Sequence, residues 1–274
     1  MTNLVPMAGE GKRFKDAGYT TPKPLITVSE KPMIIQAIKG MPPSDKWIFV
    51  CRKEHIENYK VDKILKKKIP NAQIITIDKT TQGQTATCLL AKDLIDKKES
   101  LYIGTCDATK VWDINKWNSL IGDKKIDCII WTFTKQFNLS INPKAWGWVD
   151  VDENNLVKKI SVKVPISDTP YNNQAIIGAF WFRTGQLFVD IAEELIKRNI
   201  RVNNEFYVDS IPNLILEHGK RVSTFVVNQY IGWGTPADLQ EYEYWENVFL
   251  KDNIKSEDKK SQLYVFWKKY FKGR

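Results

Sequence analysis

The feature that most constrains this chain is an alternation. Through its first half, short continuous apolar runs trade places with segments of helical period. Asn3–Met7, Trp47–Cys51 (WIFVC), Gln73–Asp78 (QIITID), Leu101–Cys106 (LYIGTC) and Cys128–Thr134 (CIIWTFT) read as buried strands. Pro32–Gly40, Glu54–Lys68, Gln84–Asp96 and Ile114–Ile121 read as the helices between them. Apolar runs without polar alternation suit strands covered on both faces, joined by right-handed helical crossovers. The pattern predicts an α/β chain with a Rossmann-like, mixed but mostly parallel sheet flanked by helices.

After about Phe137 the rhythm changes. Trp146–Asp152 (WGWVDVD), Val157–Lys163 and Ala175–Arg183 (AIIGAFWFR) read as strands with few helices between them, which implies an antiparallel or mixed extension. Helical patterns return at Gly185–Arg198, Val208–His218 and Pro236–Leu250, with a late strand at Val222–Val227. Lys251–Lys260 reads as a charged linker. The aromatic, basic end Leu263–Tyr270 (LYVFWKKY) is expected to dock on the body.

Composition excludes several classes. A chain of 274 residues, 43% hydrophobic, can bury one large core. No run approaches the roughly 18–20 apolar residues of a membrane span. The first residues lack the charged start and apolar stretch of a signal peptide. The expectation is a soluble, cytoplasmic protein without a transmembrane segment. The net charge of +9 arises from 41 Lys and Arg against 32 Asp and Glu. Much of the excess lies in solvated runs such as Lys66–Lys68 and Lys124–Lys125, with no stacking motif or recognition helix, so nucleic acid is not an expected partner. Cys51, Cys88, Cys106 and Cys128 are widely spaced in or beside apolar segments. They read as buried thiols rather than zinc ligands or disulfides.

The stretch "VPMAGEGKRF" (Val5–Phe14) closes the first strand with a glycine-rich turn and two cations. In an open parallel sheet, ligands bind beyond the carboxyl ends of the strands. Gly9 and Gly11 allow close backbone approach, exposed amides in a tight turn form an anion nest, and Lys12 and Arg13 add charge. A phosphate chain suits such a place; so, taken alone, does a plain turn. The stretch fits neither the P-loop nor the dinucleotide fingerprint, because Phe14 stands where those patterns need other residues. Downstream, "TPKPL" sets Lys23 between Pro22 and Pro24, which should hold it on a stiff extended segment as a point charge for a phosphoryl group.

Together, "PMAGEGKRF", "TPKPLI" and "KPMI" resemble the signature of the sugar-phosphate nucleotidyltransferase family: A-G-x-G-x-R, then P-K-x-L, then K-P-[ML]. Here these are Ala8, Gly9, Gly11, Arg13, Pro22, Lys23, Leu25, Lys31, Pro32 and Met33. The resemblance continues, with interruptions, to about Leu239. It implies a GT-A-like nucleotidyltransferase fold over residues 1–250, with a nucleotide half to about residue 135 and an acceptor half beyond it, followed by the 251–274 linker and tail. It also implies roles. Met7, Ala8, Gly9, Glu10 and Gly11 would cradle a nucleoside triphosphate. Arg13 would grip its outer phosphates, and Lys23 would stabilise charge on the α-phosphate. Gln82, Gly83 and Gln84 of "TTQGQTAT" would lie nearest the base. Asp107 would hold Mg²⁺, Asp113 being the better helix cap. On the acceptor side the matching residues are Gly147, Lys163, Asn204 and Glu205.

The sequence departs from the family pattern twice. Val162 stands where many members carry a Glu before the phosphate-binding lysine, and that Glu contacts sugar hydroxyls. Gly232 of "GWGTPADL" stands where many members carry a second metal aspartate. Either Asp238 or Glu205 replaces that ligand, or Asp107 holds Mg²⁺ mainly with phosphates and water.

The activity implied is condensation of CTP, UTP or dTTP with a phosphomonoester, either a sugar 1-phosphate or a phosphorylated alcohol or amino compound. Pyrophosphate would be released and an activated precursor for a surface polysaccharide formed; phosphocholine-type cytidylyltransferases share the signature. Such chemistry needs no protein nucleophile, so His55 and His218 are free for structural work. A glycosyltransferase using a nucleotide sugar would need D-x-D at a strand end, and "CDAT" offers Asp107 alone. A non-catalytic sensor would have no use for Arg13, Lys23 and Asp107 together. A homodimer is common for such folds.

Overall fold

The computed structural model describes residues 1–273. The strands are β1 (Thr2–Pro6), β2 (Thr27–Val28), β3 (Lys31–Pro32), β4 (Lys46–Arg52), β5 (Gln73–Ile77), β6 (Leu101–Ile103), β7 (Ala108–Val111), β8 (Cys128–Phe133), β9 (Gly147–Val151), β10 (Val157–Val162), β11 (Gln174–Phe182), β12 (Val222–Val226) and β13 (Gln229–Gly232). The helices are α1 (Lys12–Asp16), α2 (Met33–Lys39), α3 (Lys53–Tyr59), α4 (Val61–Lys68), α5 (Gln84–Leu89), α6 (Ile114–Gly122), α7 (Asn138–Ile141), α8 (Gly185–Lys197), α9 (Ile211–Glu217), α10 (Pro236–Leu250), α11 (Ser256–Lys260) and α12 (Leu263–Lys272).

One mixed sheet carries the fold, in the order β10-β9-β11-β6-β1-β4-β5, with β8 bonded to β11 and β12 to β8. The first half supplies a parallel core: β1 runs parallel to both β4 and β6, and β4 to β5. The later strand β11 enters antiparallel to β6, β8 and β9, so the change of rhythm after Phe137 is a change of strand direction. The continuous apolar runs are explained by burial on both faces. Leu4, Ile48 and Val50 point into one apolar layer, while Val5, Phe49 and Cys51 point into the other.

Several expected elements differ in detail. Glu54–Lys68 is two helices, because Lys60 takes a left-handed conformation (φ 53°) and its amide closes α3 onto Ile56. Gln84–Asp96 is helical only to Leu89. The amides of Leu90, Ala91 and Lys92 then reach back three residues, and Ile95 and Asp96 beyond them pack against Gly185. The strand from Leu101 ends at Ile103, and β7 follows Asp107 unannounced by the sequence. Lys23–Leu25 is a single 3₁₀ turn rather than an extended segment. Pro24 sits at its start, where a missing N–H leaves no bond unmade.

The linker also carries structure: buried Asp258 accepts from the Lys255 amide and starts α11. The tail helix α12 docks on α10, with Trp267 and Tyr270 buried and the Trp267 indole donating to Glu241 (3.0 Å). No helix among the described residues is long and apolar enough to cross a membrane.

Candidate active site

A cavity of about 850 Å³ opens beyond the carboxyl end of β1. Met7 to Arg13 line it, as do Lys23, Asp107, Gly83 and Gln84 from the first half, and Gly147, Lys163 and Glu205 from the second. Both halves of the chain therefore contribute to one space.

The glycine turn is built for an anion. Among the described residues, the backbone amides of Gly9, Glu10 and Gly11 donate to no group of the protein. Gly11 caps α1 with φ 65° and ψ 29°, and a Cβ there would lie 3.1 Å from the Lys23 Cβ. Glycine meets both the dihedral and the close approach without strain. Phe14, one residue beyond the cations, is buried edge-on to Tyr19 and anchors the turn; burying such a ring stabilises the fold by about 1.5–3 kcal/mol. Arg13 remains exposed on the cavity rim and forms no ion pair among the described residues.

Lys23 reaches under this turn and donates a hydrogen bond to Asp107 Oδ2. Burial works against the charge of Lys23, but the Asp107 carboxylate and the adjacent Cys106 outweigh it and raise its pKa above the ordinary lysine value. Burial also pushes the Asp107 carboxyl up. The Lys23 charge and hydrogen bond, helped by Arg13, overcome that and hold it below the ordinary aspartate value. Asp107 is not a helix cap; Asp113 is, accepting from the amides of Asn115 and Lys116.

The strand the sequence did not reveal, β7, explains how the late motif reaches the site. It pairs antiparallel with β13, with Ala108 opposite Gly232, and the Trp233 amide donates to the Asp107 carbonyl (2.7 Å). Gly234 thereby lies beside Asp107: a Cβ on it would be 3.5 Å from Asp107 Oδ2 and 3.9 Å from Asp238 Oδ2. A side chain at position 232 would begin 2.8 Å from the Tyr230 hydroxyl, on a ring held by Phe133 and Trp146. That ring stands where an aspartate would otherwise have to begin.

Asp238 does not line the cavity. Its Oδ2 accepts from the Thr235 amide (2.9 Å) and hydroxyl (2.7 Å), closing a capping box at the start of α10. Among the described residues no cluster of three or more His, Cys, Asp or Glu side chains is placed to hold a metal. Mg²⁺ is ordinarily held by one or two carboxylates together with phosphates and water. Asp107 beside an amide nest fits that mode.

The base-side loop and the acceptor-side loop are laced together. The Phe206 amide donates to the Gln82 carbonyl (2.9 Å) and the Thr85 amide to the Phe206 carbonyl (3.0 Å). Gly83 (φ 119°) lies against this crossing, and a Cβ on it would stand 2.5 Å from the Phe206 nitrogen. Thr80 ties Glu10 of the glycine turn to the same loop (3.3 Å). Gly83 and Gln84 face the cavity. Gln82 does not: its side chain accepts from Arg201 (2.5 Å). Asn204 is also outside. With Asn203 it forms a tight turn between Val202 and Glu205, both with positive φ, and that turn aims Glu205 inward.

Gly147 and Lys163 are brought together by the β9–β10 hairpin. Lys163 donates to the Ala145 carbonyl and lies over the Tyr207 ring, 5.8 Å from its centroid. Burial pulls its pKa below the ordinary lysine value, against the field of Asp209. The sequence reading missed Trp146, Tyr207 and Asp209 as cavity residues. Trp146 stands directly before Gly147, and Tyr207 and Asp209 lie within four residues of Glu205, but only the fold turns them inward. Both histidines lie elsewhere. His55 is buried beside Glu54, and His218 meets Glu194 on the surface. The four cysteines are free thiols.

This fold and cavity are those of a nucleotide-handling transferase, and the sequence agrees. The profile of the nucleotidyl transferase family matches residues 3–249, and the chain belongs to that family. Its fold is similar to that of a nucleoside-diphosphate-sugar pyrophosphorylase from Vibrio cholerae RC9. The TM-score is 0.70 at 19% identity, over 88% of this chain and 99% of the other. It is also similar to the inositol-1-phosphate CTP transferase from T. maritima, with a TM-score of 0.69 at 16% identity, over 88% and 93% of the two chains. A search of curated proteins by sequence gives no significant match.

Proposed function

We propose that the protein joins a nucleoside triphosphate to a small phosphomonoester and releases pyrophosphate. A phosphate oxygen of the acceptor attacks the α-phosphorus in line, the bond to the α–β bridging oxygen breaks, and pyrophosphate leaves with that oxygen. Two polyanions must meet for this. Unit charges about 4 Å apart repel by roughly 4 kcal/mol at an effective dielectric near 20, so catalysis here is neutralisation and alignment.

The observation that carries the reading is the Lys23–Asp107 pair beside the donor-only amides of Gly9–Gly11. The amides and Arg13 hold the triphosphate. Lys23 supplies charge at the α-phosphate. Gly83 and Gln84 border the base, and Gln82 braces their loop through Arg201. Lys163 receives the acceptor's phosphate. Asp107 would hold Mg²⁺ with phosphate oxygens and water, and the metal when bound would supply further neutralisation of the phosphates. Asp238 caps α10. CTP, UTP and dTTP all remain within this reading, as does a product serving surface-polysaccharide synthesis.

The test is pyrophosphate release from a panel of nucleoside triphosphates against a panel of phosphomonoesters, with Mg²⁺. Release that depends on one particular pair names both substrates. Release with no pair in the panel, by an enzyme that binds nucleotide, counts against transfer.

A further inference from the structure

Two carboxylates in the cavity are left without a partner by the roles above. Asp209 is 8% exposed, in a 3₁₀ turn (Val208–Ser210) that follows Tyr207, and it lines the cavity. It fills the space over Gly147, where an added Cβ would stand 2.6 Å from its Oδ2. Among the described residues its side chain forms no ion pair, and no other residue donates a hydrogen bond to it. Lys163, the cation whose field it feels, is turned to the Ala145 carbonyl and the Tyr207 ring. Glu205 lines the same cavity and also lacks an ion-pair partner among the described residues.

Two rings accompany these carboxylates. Trp146 and Tyr207 line the cavity, and Trp146 is fixed by ring contacts with Phe133 (5.0 Å) and Tyr230 (5.7 Å). A buried carboxylate without a partner destabilises a protein. A pair of carboxylates with aromatic faces is the usual environment for a positively charged nitrogen, held by charge and by the ring quadrupoles.

We propose that the acceptor carries, besides its phosphate, an ammonium head, protonated or quaternary, seated against Asp209 and Glu205 and bordered by Trp146 and Tyr207. This rests on the nucleotidyl-transfer reading and names the acceptor's class. The ligand then has charges of opposite sign at its two ends. Lys163 meets the phosphate, and the carboxylates meet the amine. The ligand's ammonium would give Asp209 the direct ion-pair partner that it lacks among the described residues.

The test uses matched pairs that differ in charge and little in shape. Phosphocholine is compared with 3,3-dimethylbutyl phosphate, and 2-aminoethyl phosphate with propyl phosphate, with glucose 1-phosphate alongside. Each is titrated calorimetrically into the full chain in the presence of Mg²⁺ and nucleotide. The charged member of at least one pair is expected to bind about tenfold or more tightly than its neutral partner, which corresponds to about 1.4 kcal/mol. Asp209→Asn should remove most of that preference. Equal affinities within both pairs overturn the proposal, and so does tighter binding of glucose 1-phosphate than of every charged compound.

Should Asp209→Asn fail to fold, the wild-type comparison decides by itself, with Glu205→Gln as the second variant. Pyrophosphate release is recorded on the same compounds. Charge-selective binding without release keeps the ammonium site and removes the transfer reaction. Release at equal KM from charged and neutral partners keeps the reaction and removes the ammonium site.

Discussion

Lys23 and Asp107, 84 positions apart in the chain, share a hydrogen bond across the floor of the cavity, and each is the other's counter-ion. Lys23→Met should therefore do two things. As the loss of one electrostatic donor in the transition state, it should lower kcat by about 10²–10³ in a pyrophosphate-release assay. It should also lower stability by about 1–3 kcal/mol in urea melts, because Asp107 is left partly buried and unpaired. Wild-type turnover in this variant would remove Lys23 from the mechanism.

The same pair sets a pH window for stability. The folded pKa of Asp107 is depressed, so its contribution is present above the unfolded value of about 3.9 and is lost as pH falls through the lower folded value. The folded pKa of Lys23 is raised, so its contribution is present below about 10.4 and is lost as pH rises beyond that. The stability difference between wild type and Lys23→Met should be flat from about pH 5 to pH 9 and shrink outside those limits. A difference that vanishes already at pH 7 would contradict the pairing.

Asp209 should behave in the opposite sense. Burial, set against the field of Lys163, pushes its pKa up to about 6. Lys163, Glu205 and Tyr207 line the same cavity. With the folded value above the unfolded one, the stability tied to the protonated carboxyl is full below about pH 4 and is lost as pH rises through about 6. Asp209→Asn should then stabilise the ligand-free protein at pH 8 by about 1–3 kcal/mol and change little at pH 4. Thermal melts of both proteins across that range measure the sign directly.

Gly83 is expected to tolerate no side chain. A Cβ would press on the Phe206 backbone, at a dihedral that L-residues avoid. Gly83→Ala should cost about 1–3 kcal/mol of stability and weaken nucleotide binding, because the Gln82–Phe206 and Thr85–Phe206 bonds hold the base-side loop. Unchanged melting and unchanged nucleotide affinity would show that the crossing is not needed.

Removal of divalent metal should stop pyrophosphate release, and Asp107→Asn should demand far more Mg²⁺ for the same rate. Full activity in EDTA would exclude Asp107 as a metal ligand. Asp238→Asn offers a contrast. It weakens the capping box of α10, so a stability loss of about 0.5–2 kcal/mol is expected, with no change in the Mg²⁺ requirement.

The sequence by itself determined the parts that local physics writes into a chain. Continuous apolar runs such as WIFVC required a sheet buried on both faces, and the turn from Ala8 to Arg13 required glycine at Gly11 and offered free amides. Asp113 was legible as a cap because capping acts over three residues. Tertiary structure alone decided what depends on long-range pairing. The β7–β13 ribbon carries Gly234 to Asp107, and the Phe206 crossing turns Glu205 and Tyr207 into the same cavity as the glycine turn. Their motifs pointed Asp238 to a metal and Asn204 to the acceptor; the folded chain engages one in a helix cap and the other in a tight turn. Asp209 was invisible as a site residue for the same reason. Nothing in the residues around it says that Gly147, some sixty positions earlier, leaves it room to reach the cavity, or that Lys163 turns to the Ala145 carbonyl instead of pairing with it.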